Sequence, residues 1–166
     1  PRDAGGWTVL TPSADSRIVY VSDDYGDDLA GRYYLPSDSA IGADPFNPVG
    51  AVDAFRSVDA AVSAVRSGEP DWVLLHHGDA WYETLHLKNG RSDAEPFVVS
   101  SYGPGCQRPM LKTDSSTAIS LCCSGYNNIA VVGLHFYAQT RDPASTEYVS
   151  GAGGRGIRAY AGGEMQ

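Results

Sequence analysis

The densest group of oxygen donors in this sequence is Asp23, Asp24, Asp27 and Asp28, four carboxylates gathered around Gly26. Hard donors on a tight loop suit Ca²⁺. The spacing lacks the EF-hand pattern and its closing Glu, so a solvated, turn-forming loop is the preferred reading, with Ca²⁺ as the cofactor such a loop would take. His76 and His77 adjoin the end of an apolar run, WVLLHH. Neighbouring strand residues face opposite ways, so only one of the two can serve a given site. His86, in LHLK, is read as exposed. Asp79 and Glu83 have the chemistry of an acid and base pair for glycoside cleavage, yet Asp79 in GDAW is read first as bonding its own turn.

A second group is His135, Tyr137, Arg158 and Tyr160. If Ile129, Val131, Leu134 and Phe136 point inward along one strand, His135 and Tyr137 face solvent, and if Ile157 and Ala159 point inward, so do Arg158 and Tyr160. Stacked on successive strands, the four would make a sugar-binding strip, with aromatic faces for a ring and cations for an acid group. Other chemistries fall away. Neither G-x-S-x-G nor H-E-x-x-H occurs, and GPG at 103–105 and GGRG at 153–156 are followed by no lysine and helix, so neither is a phosphate loop.

These residues need elements to hold them. Val58, Ala61, Val62 and Val65 fall at i, i+3, i+4 and i+7, predicting a helix over 58–66 with Ser57 as N-cap and Gly68 as its stop. Upstream, RIVYVS at 17–22 reads as a short strand, and 33–50 reads as a long loop with aromatic anchors. Downstream, short apolar runs are separated by Gly, Asn, Pro and Ser turns, which reads as strands. The run centres Val73, Val98, Val131 and Ile157 are separated by 25, 33 and 26 residues. Such a period points to stacked repeats, with the helix over 57–68 covering the open end of the first. The expected fold class is therefore all-β: a right-handed parallel β-helix with a short N-terminal capping helix and about four coils over 69–166, C-terminally incomplete, in a single domain.

A chain of 166 residues with 12 Lys and Arg against 20 Asp and Glu carries a net charge of −8. That field repels phosphate backbones and anionic membrane surfaces, so nucleic acid is not an expected partner. No apolar run approaches the length needed to span a bilayer, so no membrane insertion is expected. Cys106, Cys122 and Cys123 cannot all pair within the chain, and the adjacent C-C lacks zinc-knuckle spacing. Their disulfide state stays open.

The stretch Asp71–Pro109 resembles the opening coils of the pectate-lyase-like superfamily of right-handed parallel β-helix proteins. The likeness is carried by SGEPDWVLL, GDAWYE, NGRSDAEPFVV and SYGPGCQRP, by RIVYVSDDYGDD and GADPFNPVGAVDAFRSVDAAV upstream, and by YNNIAVVGLHFY downstream. The resemblance implies a secreted or cell-surface protein whose partner is a polysaccharide or glycan. It implies a carbohydrate-active protein, polysaccharide lyase before glycoside hydrolase, of which this chain is the N-terminal part. The alternative is a non-catalytic glycan-binding or adhesion protein. An open last coil would also favour self-association end to end.

Overall fold

The structure is a computed structural model that describes residues 2, 4–6, 8–114, 116–121 and 125–159. Its elements in chain order are strands β1 (Ile18–Val21) and β2 (Tyr33–Tyr34), helix α1 (Val58–Ala64), strands β3 (Trp72–His76), β4 (Ala80–Trp81), β5 (Phe97–Tyr102), β6 (Met110–Lys112), β7 (Thr117–Leu121), β8 (Ile129–Val131) and β9 (His135–Tyr137), a 3₁₀ turn at Gln139–Arg141, and β10 (Arg155–Ala159). They form three sheets: five strands in the order β2-β1-β3-β5-β8, three in the order β4-β6-β9, and the pair β10-β7. Among the described strands all pairings are parallel except β1 with β2.

The helix begins where the sequence places it. The Ser57 hydroxyl accepts from the Ala60 amide at 3.2 Å, satisfying one donor that the first turn leaves unpaired. Val58, Ala61 and Val62 are buried, so α1 is built into the main core rather than standing alone. Gly68, at φ +83°, leads the chain out, and its amide donates to the Asn89 carbonyl at 2.8 Å.

Strands β1, β3 and β5 are buried at nearly every position, as apolar runs without polar alternation require. Val19, Val21, Val73, Leu75, Phe97 and Val99 face the main core, where α1, Trp81, Leu85, Leu111 and Ile119 meet them. On the opposite face Ile18, Tyr20, Trp72, Leu74, Val98 and Tyr102 form a second core. The long segment between β1 and α1 covers it with Tyr34, Ile41 and Ala54, and Phe46 packs on Trp72 with ring centroids 5.5 Å apart.

This architecture corrects the expected all-β right-handed parallel β-helix. The fold is mixed α/β, with one antiparallel pair beside parallel ones in the five-stranded sheet, two smaller parallel sheets, and a helix in the main core. Two physical reasons account for the difference. A coil wall with one inner and one solvated face does not describe β1, β3 and β5, whose second face lies under residues 33–54. The even spacing also breaks at its last step. Val73, Val98 and Val131 share the five-stranded sheet, whereas Ile157 pairs with Ile119 in the two-stranded one and is 58% exposed rather than turned inward.

Among the described residues no helix is long and apolar enough to cross a membrane. The second core generates a direct test. Trp72→Ala should lower unfolding free energy by about 3–5 kcal/mol, as loss of a fully buried aromatic does, measured by urea denaturation. A loss below about 0.5 kcal/mol, typical of a surface position, would mean that Trp72 faces solvent.

Candidate functional site

Parallel strands carry their chain direction in common, so the segments leaving β1, β3 and β5 emerge at one edge of the sheet. Leu75 lies opposite Val21 and Ser101, and His76 lies opposite Tyr102. Just past these ends come Tyr25, Asp79 and Gly103. The carboxyl edge of a parallel sheet is where clefts between diverging loops commonly hold ligands. Here a cavity of about 400 Å³ opens, lined by Tyr25, His76 and Tyr102, with Asn47, Pro48 and Val52 of the covering segment as its far wall.

His76 is the centre of the arrangement. Its ring stands edge-on to Tyr25, centroids 5.3 Å apart at 78°, and to Tyr102, 5.2 Å apart at 67°. Its Nδ1 lies 3.4 Å from Asp79 Oδ1. Asp79 Oδ2 accepts from the Ser22 hydroxyl at 2.7 Å and from the Asp23 amide at 2.9 Å, so this carboxylate ties the turn after β3 to the loop after β1. Gly103, at φ +86°, takes a backbone conformation that side chains disfavour. A Cβ there would come within 2.8 Å of His76 Cδ2 and 3.0 Å of Nε2, so glycine also makes room for the imidazole.

The two phenols are coupled, with 2.6 Å between their oxygens. Tyr102 is 2% exposed and Tyr25 49%. Burial pushes the Tyr102 hydroxyl well above the usual phenol range, and the bond with Tyr25 adds to it. Burial also raises Tyr25, with the charges of Asp79 and Asp24 contributing. Both therefore stay protonated at neutral pH. Of their two hydroxyl hydrogens one is spent between them, leaving one for a ligand, and Tyr25 is the accessible member.

The residues singled out in the sequence lie elsewhere or in other roles. The loop of Asp23, Asp24, Asp27 and Asp28 is held tight by amide bonds from Gly26 to the Ser22 carbonyl and from Asp27 to the Ala54 carbonyl. A Cβ on Gly26 would lie 2.3 Å from both the Phe55 and Ser22 carbonyl oxygens. Asp27 Oδ1 accepts from the Leu29 amide, and Asp28 Oδ1 from the amides of Arg56 and Ser57 at 2.8 and 2.9 Å. Burial pushes the Asp28 carboxyl up, but its bonds from Ser57 and Arg56 outweigh this and hold it below the usual range. Among the described residues no three His, Cys, Asp or Glu side chains converge as a metal site, and the Asp27 and Asp28 carboxylates bond the loop and the start of α1.

His135 and Tyr137 are neighbours on β9, centroids 5.9 Å apart. Arg158 is on β10, in a different sheet from β9, and Tyr160 lies outside the described residues. The sequence reading missed Lys112 and Tyr82. Lys112 stands opposite Tyr137, with its amine over the Tyr82 ring at 4.7 Å, 2.7 Å from the Tyr82 hydroxyl and 2.6 Å from Glu147. Tyr137 donates to Asp142 at 2.8 Å. Two carboxylates of the segment after β9 thus engage the polar groups of this strip.

Asp79 and Glu83 do not pair. Glu83 Oε2 accepts from the Asp59 amide at 2.9 Å, at the start of α1. His77 Nδ1 lies 3.0 Å from the Gln107 carbonyl, and His86 is exposed, 4.0 Å from Asp59. Cys106 is an exposed free thiol, while Cys122 and Cys123 lie outside the described residues. The chain matches no protein-family model, no curated protein and no solved structure.

Two tests follow from these contacts. A carboxyl held below its ordinary value stabilises the fold above the unfolded-state value, and that stabilisation is lost as pH falls through the folded-state value. The melting-temperature gap between wild type and Asp28→Ala should therefore be wide at neutral pH and shrink in acid below the ordinary carboxylate value of about 3.9. A gap that does not change with pH would remove the charge from the account. Gly103→Ala should cost about 1–3 kcal/mol in unfolding free energy and shift the His76 ring proton resonances. Unchanged resonances would show that the ring does not abut residue 103.

Proposed function

We propose that this chain is a carbohydrate-active protein whose sugar site is the cavity at the carboxyl ends of β1, β3 and β5, with His76 as its acid–base group. The observation that carries the reading is the placement of the His76 imidazole between two tyrosines, with Asp79 at Nδ1 and a cavity in front. Sugar sites combine a few aimed polar groups with aromatic surface, because a pyranose presents apolar C–H faces and a rim of hydroxyls. The resemblance of Asp71–Pro109 to a carbohydrate-processing superfamily supports the same substrate class, and His76, Asp79, Tyr102 and Gly103 all fall within that stretch.

The roles follow from the geometry. Asp79 favours the imidazole with its proton on Nδ1, which leaves Nε2 to accept one from a water or a sugar hydroxyl. Tyr25 donates a hydrogen bond to a sugar oxygen while Tyr102 fixes its position. A non-catalytic glycan-binding site is the second reading, favoured by one observation. Glycoside hydrolysis by two carboxylates needs an acid and a base flanking the bond, and Asp79 is engaged by His76, Ser22 and the Asp23 amide.

The test is incubation of the chain with a polysaccharide panel, with and without Ca²⁺, following unsaturated products and new reducing ends, beside a glycan-binding array. Turnover that falls by about a hundredfold or more in His76→Gln, with binding largely retained, supports the catalytic reading. Binding without turnover selects the second. Neither binding nor turnover across the panel would overturn both.

A further inference from the structure

The charge around the cavity narrows the kind of sugar it can take, a step that rests on the carbohydrate reading above. Tyr25, Asn47, Pro48, Val52, His76 and Tyr102 are part of its lining, and among the described residues none that lines it is Arg or Lys. A sugar acid needs a cation or a cluster of donors to neutralise its carboxylate once water is displaced. Among the described residues His76 is the one lining side chain able to carry positive charge, and its Nδ1 already faces Asp79. The cation of the neighbouring loop, Arg56, bonds the Asp23 carbonyl at 3.0 Å.

Negative charge, by contrast, is close at hand. Asp79 sits behind the imidazole, and Asp24 adjoins Tyr25 in the exposed loop. The fields of both reach the Tyr25 hydroxyl and favour its protonated form, which places them within electrostatic range of the group that would meet a ligand. A ligand carboxylate brought here would meet like charge in a partly desolvated cavity. A neutral ring would meet none of this penalty. Its hydroxyls could bond to His76, Tyr25 and Asn47 while its C–H face packs on the aromatic and proline surfaces.

We propose that the Tyr25–His76–Tyr102 cavity selects neutral sugars over uronic acids. A neutral sugar carries no carboxylate to acidify the neighbouring C–H, so β-elimination is closed to it. Any cleavage at this site is then hydrolytic: water adds its hydroxyl to the anomeric carbon, the glycosidic C–O bond breaks, and the leaving oxygen takes up the proton.

The experiment is an NMR titration of the isotope-labelled full chain with neutral trioses built from glucose, galactose, mannose or xylose, and with galacturonate and mannuronate trioses. Titrations are run at low salt, first with EDTA and then with Ca²⁺. The expected result is that at least one neutral triose perturbs His76 and Tyr25 and binds about tenfold or more tighter than either uronate. Asp24→Asn, a surface change outside both cores, should narrow that ratio by about threefold, as should raised salt. Uronate binding as tight as neutral binding, with or without Ca²⁺, overturns this inference and leaves the carbohydrate reading standing. A ratio insensitive to both Asp24→Asn and salt overturns its electrostatic basis. Binding of neither class overturns the carbohydrate reading and this inference with it.

Discussion

Burial of the central parallel strands on both faces is the constraint from which the rest of this structure follows. Leu75 of β3 looks into the core that α1 closes, while Trp72 and Leu74 look into the one that residues 33–54 close. A strand of this kind has no solvated side, so its backbone groups must pair in the sheet and its side-chain hydroxyls must find partners within the protein. The covering segment is long because it has a whole sheet face to cross. Aromatic rings are among its fixed points: Tyr34 and Phe46 pack against the Tyr20 and Trp72 rings, and the Tyr20 hydroxyl donates to the Pro45 carbonyl at 2.9 Å.

The same burial builds the cavity. Where the covering segment overhangs the carboxyl ends of the strands, Asn47, Pro48 and Val52 face Tyr25, His76 and Tyr102 across a gap. The overhang is tied down by the Gly103 amide, which donates to the Phe46 carbonyl at 2.9 Å. Tyr102 belongs to both worlds. Its ring packs edge-on against Tyr20 in the second core, centroids 4.7 Å apart, and its hydroxyl reaches out to Tyr25. A buried phenol thus holds an exposed one at the mouth of the cavity.

Away from this edge, charged groups act as fasteners. Asp71, fully buried, takes three bonds from Arg66 and one from the Arg17 amide, closing the turn between α1 and β3. Arg91 gathers Asp15, Glu69 and Glu95 from separate loops. Breaking a buried pair strands a charge, so Asp71 matters more than the exposed Arg91 network, where solvent screens each bond.

Local pattern sufficed for some of this. The spacing of Val58, Ala61, Val62 and Val65 and the hydroxyl of Ser57 locate α1, and the apolar runs locate the main strands, because side-chain period and capping act within a few residues. The 25-residue step from Val73 to Val98 falls one residue short of the true register, in which Val73 lies opposite Val99 and His76 opposite Tyr102. Pairing itself is not local. Nothing in RGIRA says that β10 joins β7 rather than β8, and nothing in the Asp-rich loop says that Tyr25, not its carboxylates, faces the cavity. The unbroken apolar runs signal burial on both faces, but not which distant segment covers the second. The sequence alone therefore located α1 and the main strands, but not the short strands β2, β4 and β6 or the break between β8 and β9. Tertiary structure decided which faces were buried, which sheets formed and which side chains met, since each depends on contacts between residues far apart in the chain.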